Sequence, residues 1–427
     1  MAVPEPDGPA VIVDPYSSGA LFAEPLGRHG VPVVAVVTGP RPPDAYASSY
    51  RPGDYPETVV YDGDLDAVAR RLRALGPRCV IAGCESGVEL AERLAPLVVP
   101  ALANVPELAA ARRDKAAMAA AVAAAGLPVI PQICAARADE VAGWLHQERL
   151  HGADLVLKPP KSASTDGVVK LPGGRDWRTA FERGLGRVNQ FGERDDRLIV
   201  QKFVTGTEYV VDTFSHGGRH ALVDVCAYQK VDNGPYMAVY DTMRWLAPDD
   251  PAVPDLAEYV SGVLDAVGMR NGSAHVEVMG TADGPVLIEI GARPHGGGHP
   301  RYNWVATGDS QIDRTVRWLT GGALPGGYEL VRHQACVFHI APRAGVLRGT
   351  DVLGGVRDLA SHHFAVLNVA DGDLVPATRT LVDSLDFGFV ILSHPDAEQV
   401  ERDRRAVRAL ERRLVIEAPV AADVLEP

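Results

Sequence analysis

Two different rhythms of apolar residues divide this chain, and they restrict the architectures open to it more than any other feature. Over the first hundred residues strand-like and helical runs alternate. Ala10 to Val13 is apolar, Ser17 to His29 has the character of a helix, and Val31 to Val37 is an unbroken β-branched run. A helix around Leu65 to Leu75, an apolar strand at Cys79 to Gly83 and a helix at Gly87 to Leu97 continue the alternation. This is the pattern of an open parallel sheet with crossover helices. Pro106 to Ala125 is rich in Ala and Leu and closes at Gly126, which fits one helix or two divided near Asp114, a residue suited to cap the second. Beyond residue 150 the rhythm changes. Asp154 to Lys158, Ile199 to Phe203, Glu208 to Ser215 and Ala221 to Cys226 read as strands, several following one another directly as antiparallel sheets require. From about His333, strands such as Ala335 to Ile340 and Phe387 to Leu392 combine with a charged helix at Ala397 to Leu414. The expected fold class is α/β at the start and α+β after it. At 427 residues the chain is too long for one hydrophobic core, so two to four domains are expected.

Composition narrows the function classes. The formal charge of -13 argues against a broad nucleic-acid surface or an anionic membrane as partner. No apolar run reaches the ~18 residues of a membrane span, and the first thirty residues lack the pattern of a signal peptide, so a cytoplasmic protein is expected. The five cysteines, Cys79, Cys84, Cys134, Cys226 and Cys336, contain no CxxC pair, which gives little support to a disulfide framework or a structural zinc site. Lysine is more telling. Only Lys115, Lys158, Lys161, Lys170, Lys202 and Lys230 stand among the 42 basic residues, all between positions 115 and 230. A compact ammonium suits phosphate better than a planar guanidinium does, so the block reads as phosphate-handling, with chance clustering as the plain alternative.

Three segments carry chemistry. Lys158-Pro-Pro-Lys-Ser-Ala-Ser-Thr-Asp-Gly-Val168 follows a strand and consists largely of small residues. Such a loop can bring backbone N–H groups and hydroxyls against phosphate oxygens, although a flexible hairpin would look the same. Its spacing is not that of a Walker A loop, and no GxGxxG follows the first strand. The second segment, Gln201 to Asp212, reads as a strand, a short Gly206 turn and a second strand opening with Glu208. It can serve as a hinge facing a flat heterocycle, with Glu208 accepting from a sugar hydroxyl, or be an ordinary hairpin. In the third, Ser273 to Met279 and Pro285 to Arg293 flank a turn of Gly280 to Gly284. A five-residue turn sets Met279 opposite Pro285 and Glu277 opposite Leu287, leaving Glu289 diagonally across on the same face, roughly 7 to 8 Å away at Cα. Two carboxylates in otherwise apolar strands repel unless a cation lies between them, and oxygen-only ligands suit Mg²⁺ carried with phosphates. A solvent-exposed charged face is the alternative.

In this order, behind a small α/β domain and with Asp114-Lys115 ahead of them, these segments resemble the ATP-grasp superfamily over roughly residues 10 to 320. Lys158 to Val168 and the Gly83-Cys84-Glu85-Ser86-Gly87 loop resemble most its L-amino-acid ligases. The resemblance implies a pre-grasp domain over 1–110, a lid lobe over 111–200, a metal-bearing lobe over 201–332 and a C-terminal α+β subdomain over 333–427. It implies ATP and one or two Mg²⁺ ions as cofactors, with Mn²⁺ as a substitute, and small amino acids or amines as partners, in a chain that can pair as a homodimer. It assigns Lys115 and Lys158 to the ATP phosphates and adenine side, and Ser162, Ser164, Thr165 and Gly167 to the closing loop. Gln201, Lys202 and Val204 fall to the adenine hinge, Glu208 to the ribose, Glu277 and Glu289 to magnesium, and Arg293 to the transferred phosphoryl and developing oxyanion. Many members carry Asn two residues after the second metal glutamate, where this chain has Gly291. A second ion would therefore have one protein ligand fewer.

The activity implied is ATP-dependent joining of a carboxylate to an amine through an acyl phosphate. A bicarbonate-dependent ATP-grasp carboxylase and a non-catalytic nucleotide sensor are the competing expectations. For the substrates, Glu85 and Ser86 end a strand of the first domain, where open α/β sheets bind ligands, so Glu85 can hold an ammonium group or simply cap a helix. The Pro294-His295-Gly296-Gly297-Gly298-His299 stretch can offer N–H groups to a carboxylate, the histidines otherwise being plain loop residues. Lys230 and Tyr240, flanking Gly234-Pro235, would face the nucleotide, and Lys230 joins Arg293 as a candidate catalytic residue. Cys84, with no His placed near it, reads as a buried thiol.

Overall fold

A computed structural model describes residues 8–162, 165–233 and 236–418. Ser164 and the Gly234-Pro235 turn therefore lie outside the described residues. Among those described, no helix is long and apolar enough to cross a membrane.

The first domain is the parallel sheet that its alternating pattern requires. β1 (Ala10–Val13), β2 (Val33–Val37), β3 (Glu57–Val60) and β4 (Cys79–Ala82) pair in the order β3-β2-β1-β4, all parallel. The edge strand β3 escapes a reading by hydrophobicity because only Val59 along it is buried. The helical stretch after β1 is a 3-10 turn over Ser17–Leu21 followed by α1 (Ala23–Arg28). The chain runs from β1 outward to β3 and returns on the other side as β4, so strand order reverses between β1 and β4. A crevice opens at such a reversal, beyond the carboxyl ends of the strands. The loops that line it touch through glycine. A Cβ on Gly83 would stand 2.5 Å from the Asp14 carbonyl oxygen, and one on Gly19 would stand 2.5 Å from Gly83 Cα.

Helices α2 (Leu65–Ala74) and α3 (Val88–Val98) pack on this sheet, and α4 (Lys115–Ala124) leads out of the domain. The stretch from Pro106 is two helices, a 3-10 segment over Pro106–Arg112 and then α4, divided where Asp114 caps the second by accepting from the Ala116 and Ala117 amides. Arg112 is wholly buried. It pairs with Glu92 and donates to the Val267 and Val105 carbonyls, tying the first domain to the end of helix Val253–Ala266.

Three antiparallel sheets follow, a three-stranded one over Gly345–Arg348, Leu374–Val375 and Val415–Glu417 and two larger ones. The smaller of these two contains β5 (Gln132–Ala135), β6 (Leu155–Lys158), β7 (Val169–Leu171) and β8 (Leu198–Lys202) in the order β5-β8-β6-β7, with Leu157, Leu198 and Val200 in its core. The larger has eight strands. β9 (Thr207–His216), β10 (Arg219–Asn233), β11 (Tyr236–Trp245), β12 (Gly272–Thr281), β13 (Gly284–Gly291) and β14 (His333–Phe338) are joined by Gly388–His394 and His362–Leu367. The C-terminal region thus extends the large sheet, and the division expected at 332/333 runs through continuous pairing between β11 and β14. β8 and β9 belong to different sheets, so the Gly206 segment is a crossing from one lobe to the other, and the hairpin alternative does not hold.

The register of β12 on β13 differs from the expected one. The turn is only Ala282-Asp283, with Thr281 opposite Gly284 and Val278 opposite Leu287. Continued unbroken, that register would set Glu277 against Ile288 and turn Glu289 to the other face. A bulge between Glu277 and Val278 shifts the pairing by one residue and places Glu277 directly opposite Glu289. The two carboxylates are therefore closer than the expected diagonal, because a tight turn and a bulge replace a loose turn. The opposite face, with Val276, Val278, Leu287 and Ile290, packs into the core with helix Val253–Ala266.

Since Asp114 satisfies two orphan amides of α4 and lies beside Arg197 at 3.8 Å, Asp114→Ala should lower stability by about 0.5–2 kcal/mol, read as a reduced urea-unfolding midpoint.

Candidate active site

The paired glutamates define the centre. Lys115, the first residue of α4, reaches 3.1 Å from Glu289 and donates at 2.6 Å to the Ser162 carbonyl, so one ammonium links the acidic pair to the small-residue loop. Burial and the glutamate at its side raise the Glu289 carboxyl, with Lys115 opposing. Burial would raise Glu277 too, but the His275 ring, 3.3 Å away, holds it down at about 2. Lys158, at the end of β6, is buried, and burial with the Lys115 charge brings its ammonium down to about 8. One acid pushed up beside another, with lysines around both, is a site that gains from a divalent cation. Two carboxylates without nitrogen or sulfur donors fit magnesium.

Around this centre the nucleotide-facing candidates fall into two groups. Glu208 opens β9 and accepts from Lys230 Nζ at 2.6 Å and from the Tyr240 hydroxyl at 3.1 Å, while the Lys230 ammonium also lies 4.2 Å from the Tyr240 ring. Lys230 is thereby held by Glu208 rather than directed at a reacting centre. On the other side, Gln201 donates to Gln132 at 2.8 Å, and both line a narrow recess with Lys115, Met118, Ile130 and Leu287, whose free space of about 10 Å³ is that of one water. Val204 is half-buried on the crossing between the sheets, and Lys202 is exposed. Its walls are apolar with a polar edge, which suits a flat base in character, and the two sheets must separate further to admit one.

The small-residue loop returns through backbone that favours glycine, with φ of +62° at Thr165 and +74° at Gly167. Asp166 ties it down by accepting from Arg187 at 2.5 Å and from the Gln190 amide at 2.8 Å. Ser162 is buried. Lys161 pairs with Glu89 of α3 at 2.9 Å, so the loop already touches the first domain.

Arg293, just past β13, lies 3.0 Å from Glu85 in the β4 loop. Arg113 approaches the other Glu85 oxygen at 3.6 Å, and despite its burial the two guanidiniums hold the Glu85 carboxyl below its usual range. The structure thus places Glu85 between arginines, where it orients Arg293, instead of leaving it open to a substrate ammonium. Gly291 explains itself here. A Cβ at this position would meet the Arg293 guanidinium and Glu85 Oε2 at 3.0 Å, so a longer residue would push the pair apart. Ser86 donates to Asp14 at 2.5 Å, joining the β4 and β1 loops. The Gly297 amide reaches Ser17 Oγ at 3.2 Å, and His295 turns inward to Asp212 at 2.8 Å, while Gly296 continues the same loop into the helix that starts at His299. Cys84 is buried, and burial raises its thiol to about 12, which leaves it inert.

Arg113, Gln132 and Asp212 are parts of the site that the sequence reading missed. Only Asp212 had a usable signal, because strand alternation from Glu208 turns it to the same face. Arg113 and Gln132 arrive through tertiary packing alone.

A family profile described as the ATP-grasp domain matches residues 151–299. Dapdiamide A synthase of Enterobacter agglomerans is 34% identical over 349 residues, covering 79% of this chain and 80% of that protein. The chain belongs to the ATP-grasp family. Its fold agrees with the L-amino acid ligase of Bacillus licheniformis, with a TM-score of 0.70 at 17% identity over 96% of this chain and 98% of that one. It also agrees with N5-carboxyaminoimidazole synthetase of Staphylococcus aureus complexed with ADP, with a TM-score of 0.66 at 15% identity over 94% and 96%. ATP-grasp enzymes use ATP with magnesium, and the acidic pair and adjoining recess of this chain suit both.

Two measurements check this geometry. Burial favours neutral Lys158 above about 8, and only its ammonium attracts phosphate. Calorimetric ATP binding should therefore weaken as pH rises above that value, bound phosphate shifting the onset upward, and Lys158→Met should flatten the profile. Gly291→Asn should displace Arg293 and lower ATP turnover by about 10²-fold, with the KM for ATP little changed.

Proposed function

We propose that this ATP-grasp enzyme joins the carboxylate of one amino acid to the amine of a second amino acid or small amine, in the manner of an L-amino-acid ligase. It is an ATP-dependent carboxylate–amine ligase that releases ADP and phosphate. The observation that carries this reading is the juxtaposed Glu277–Glu289 pair with Lys115 beside it and Arg293 across the same opening, held toward the first domain by Glu85. A triphosphate lying over the acidic pair would point its terminal group at the crevice between β1 and β4, where open α/β domains take their ligands.

The chemistry follows from that arrangement. A carboxylate oxygen of the first substrate attacks the terminal phosphorus, the bond to the ADP oxygen breaks, and an acyl phosphate forms. Glu277 and Glu289 would hold the magnesium, which when bound would supply charge neutralisation on the phosphate oxygens. Lys158 and Lys115 add fixed positive charge, and Arg293, kept in place by Glu85, faces the oxyanion that develops next. The neutral amine of the second substrate attacks the acyl carbon. The carbon–oxygen bond to phosphate breaks, and the amine proton passes to solvent. With an α-amine reference pKa of ~7.7–8.0, an appreciable neutral fraction is present near neutrality, and the reading names no general base. A cytoplasmic setting, where ATP and free amino acids meet, belongs to the same proposal.

Phosphate release measured with amino acids singly, in pairs and with bicarbonate tests the reading. Release that needs a pair, with the amide product seen by mass spectrometry, is expected. Dependence on bicarbonate alone would overturn it in favour of a carboxylase. Glu289→Gln should cut turnover by at least about 10²-fold while the circular-dichroism spectrum stays unchanged.

A further inference from the structure

Beyond the magnesium carboxylates the same face of the large sheet carries a second set of donors that the ligase reaction does not use. Asp212 on β9 is the cross-strand partner of both Asp224 on β10 and His275 on β12, so three adjacent strands offer one polar side chain each at one level. His295 and His299, on either side of three glycines, fold over them. His275 Nδ1 lies 2.9 Å from Asp212 Oδ1, and His295 Nδ1 lies 2.8 Å from Asp212 Oδ2. His299 Nε2 stands 3.3 Å from Asp212 Oδ2 and 3.1 Å from Asp224 Oδ1. The His295 and His299 rings stack with centroids 3.8 Å apart, and His275 lies tilted against His295 at 4.0 Å. Asp212, Asp224, His275 and His299 are at most 4% exposed.

Protons alone serve this group poorly. Two buried carboxylates face each other across neighbouring strands, an arrangement that repels when both are ionised. A neutral imidazole has a single N–H. His275 spends its protons on Asp212 and Glu277, and His295 turns its Nδ1 to Asp212. His299 is left to share one proton between two aspartates, while its Nδ1 and Asp224 Oδ2, both buried, have no hydrogen-bond partner among the described residues. A divalent ion at His299 Nε2 and Asp224 Oδ1 answers the repulsion between the two carboxylates, while His299 Nδ1 points away from it. The separations of 2.8, 3.3 and 3.1 Å link His295, Asp212, His299 and Asp224 in a row at hydrogen-bond spacing, and shifts of up to about 0.5 Å would bring each to the ~3.3 Å between ligands of a tetrahedral ion bound at ~2.0–2.1 Å. Cys226 Sγ, 3.5 Å from Asp224 Oδ1, is a further donor within reach.

We propose that Asp212, Asp224, His295 and His299 hold a transition-metal ion of the zinc class, separate from the magnesium pair. Mixed imidazole and carboxylate donors select such an ion, whereas the oxygen-only Glu277–Glu289 pair selects magnesium. The role is structural. The ion pins the 294–299 loop, which follows directly on Arg293, to strands β9 and β10, and His275 links it to Glu277.

The experiment uses the full chain, stripped with a chelator, reloaded with Zn²⁺ or Co²⁺, dialysed, and assayed by elemental analysis and by visible cobalt absorption. The expected result is about one tightly held ion in the wild type and in Glu289→Gln. His299→Ala and the near-isosteric Asp224→Asn should each bind about tenfold or more weakly, and zinc should raise the melting temperature of the wild type but not of these variants. Failure of the wild type to retain either metal overturns the proposal. So does unchanged retention in Asp224→Asn, and so does loss of the ion in Glu289→Gln, which would assign it to the magnesium pair.

Discussion

Two carboxylates forced face to face organise this molecule. Glu277 and Glu289 meet only because a one-residue bulge corrects the register that the tight Ala282-Asp283 turn would otherwise impose. Their repulsion must be answered by positive charge, and three separate pieces of chain bring it. Lys115 comes from the capped start of a helix, Lys158 from the end of a lid strand, and His275 from two positions along the same strand. The lid lobe, the large sheet and the helix between them are thus fixed to one another through electrostatics at the site as well as through apolar packing elsewhere.

How far the sequence revealed this depends on whether local pattern or tertiary contact sets each residue. The parallel domain and the split at Asp114 were legible because alternation and capping are local physics. The two glutamates were legible as a pair, since charge in an apolar strand demands an explanation. Their opposition was not, because turn length and bulge depend on packing against Val276, Val278 and Leu287. Gly206 read as a turn although it lies on a crossing between sheets, as strand-turn-strand patterns do not say which sheet each strand joins. Glu85 was legible as a polar residue at a sheet's carboxyl edge, but Arg113 approaches it only in the folded chain.

Position 291 adds to the crowding around Glu85. A side chain there would press on the Arg293 guanidinium and Glu85 Oε2, which must give by a few tenths of an ångström to admit it.

The division of labour between sheets has an evolutionary corollary. The groups proposed to face phosphate stand on the four- and eight-stranded antiparallel sheets and α4, whereas Ser17, Glu85 and Ser86 come from loops of the parallel domain that meet through Gly19 and Gly83. Apart from Glu85, which holds Arg293, and the close contacts at Gly19 and Gly83, the side chains of those loops can change chemistry without disturbing the energy-yielding half of the reaction. Diversification of the molecules joined can therefore proceed at one end of the cleft while the other end stays fixed.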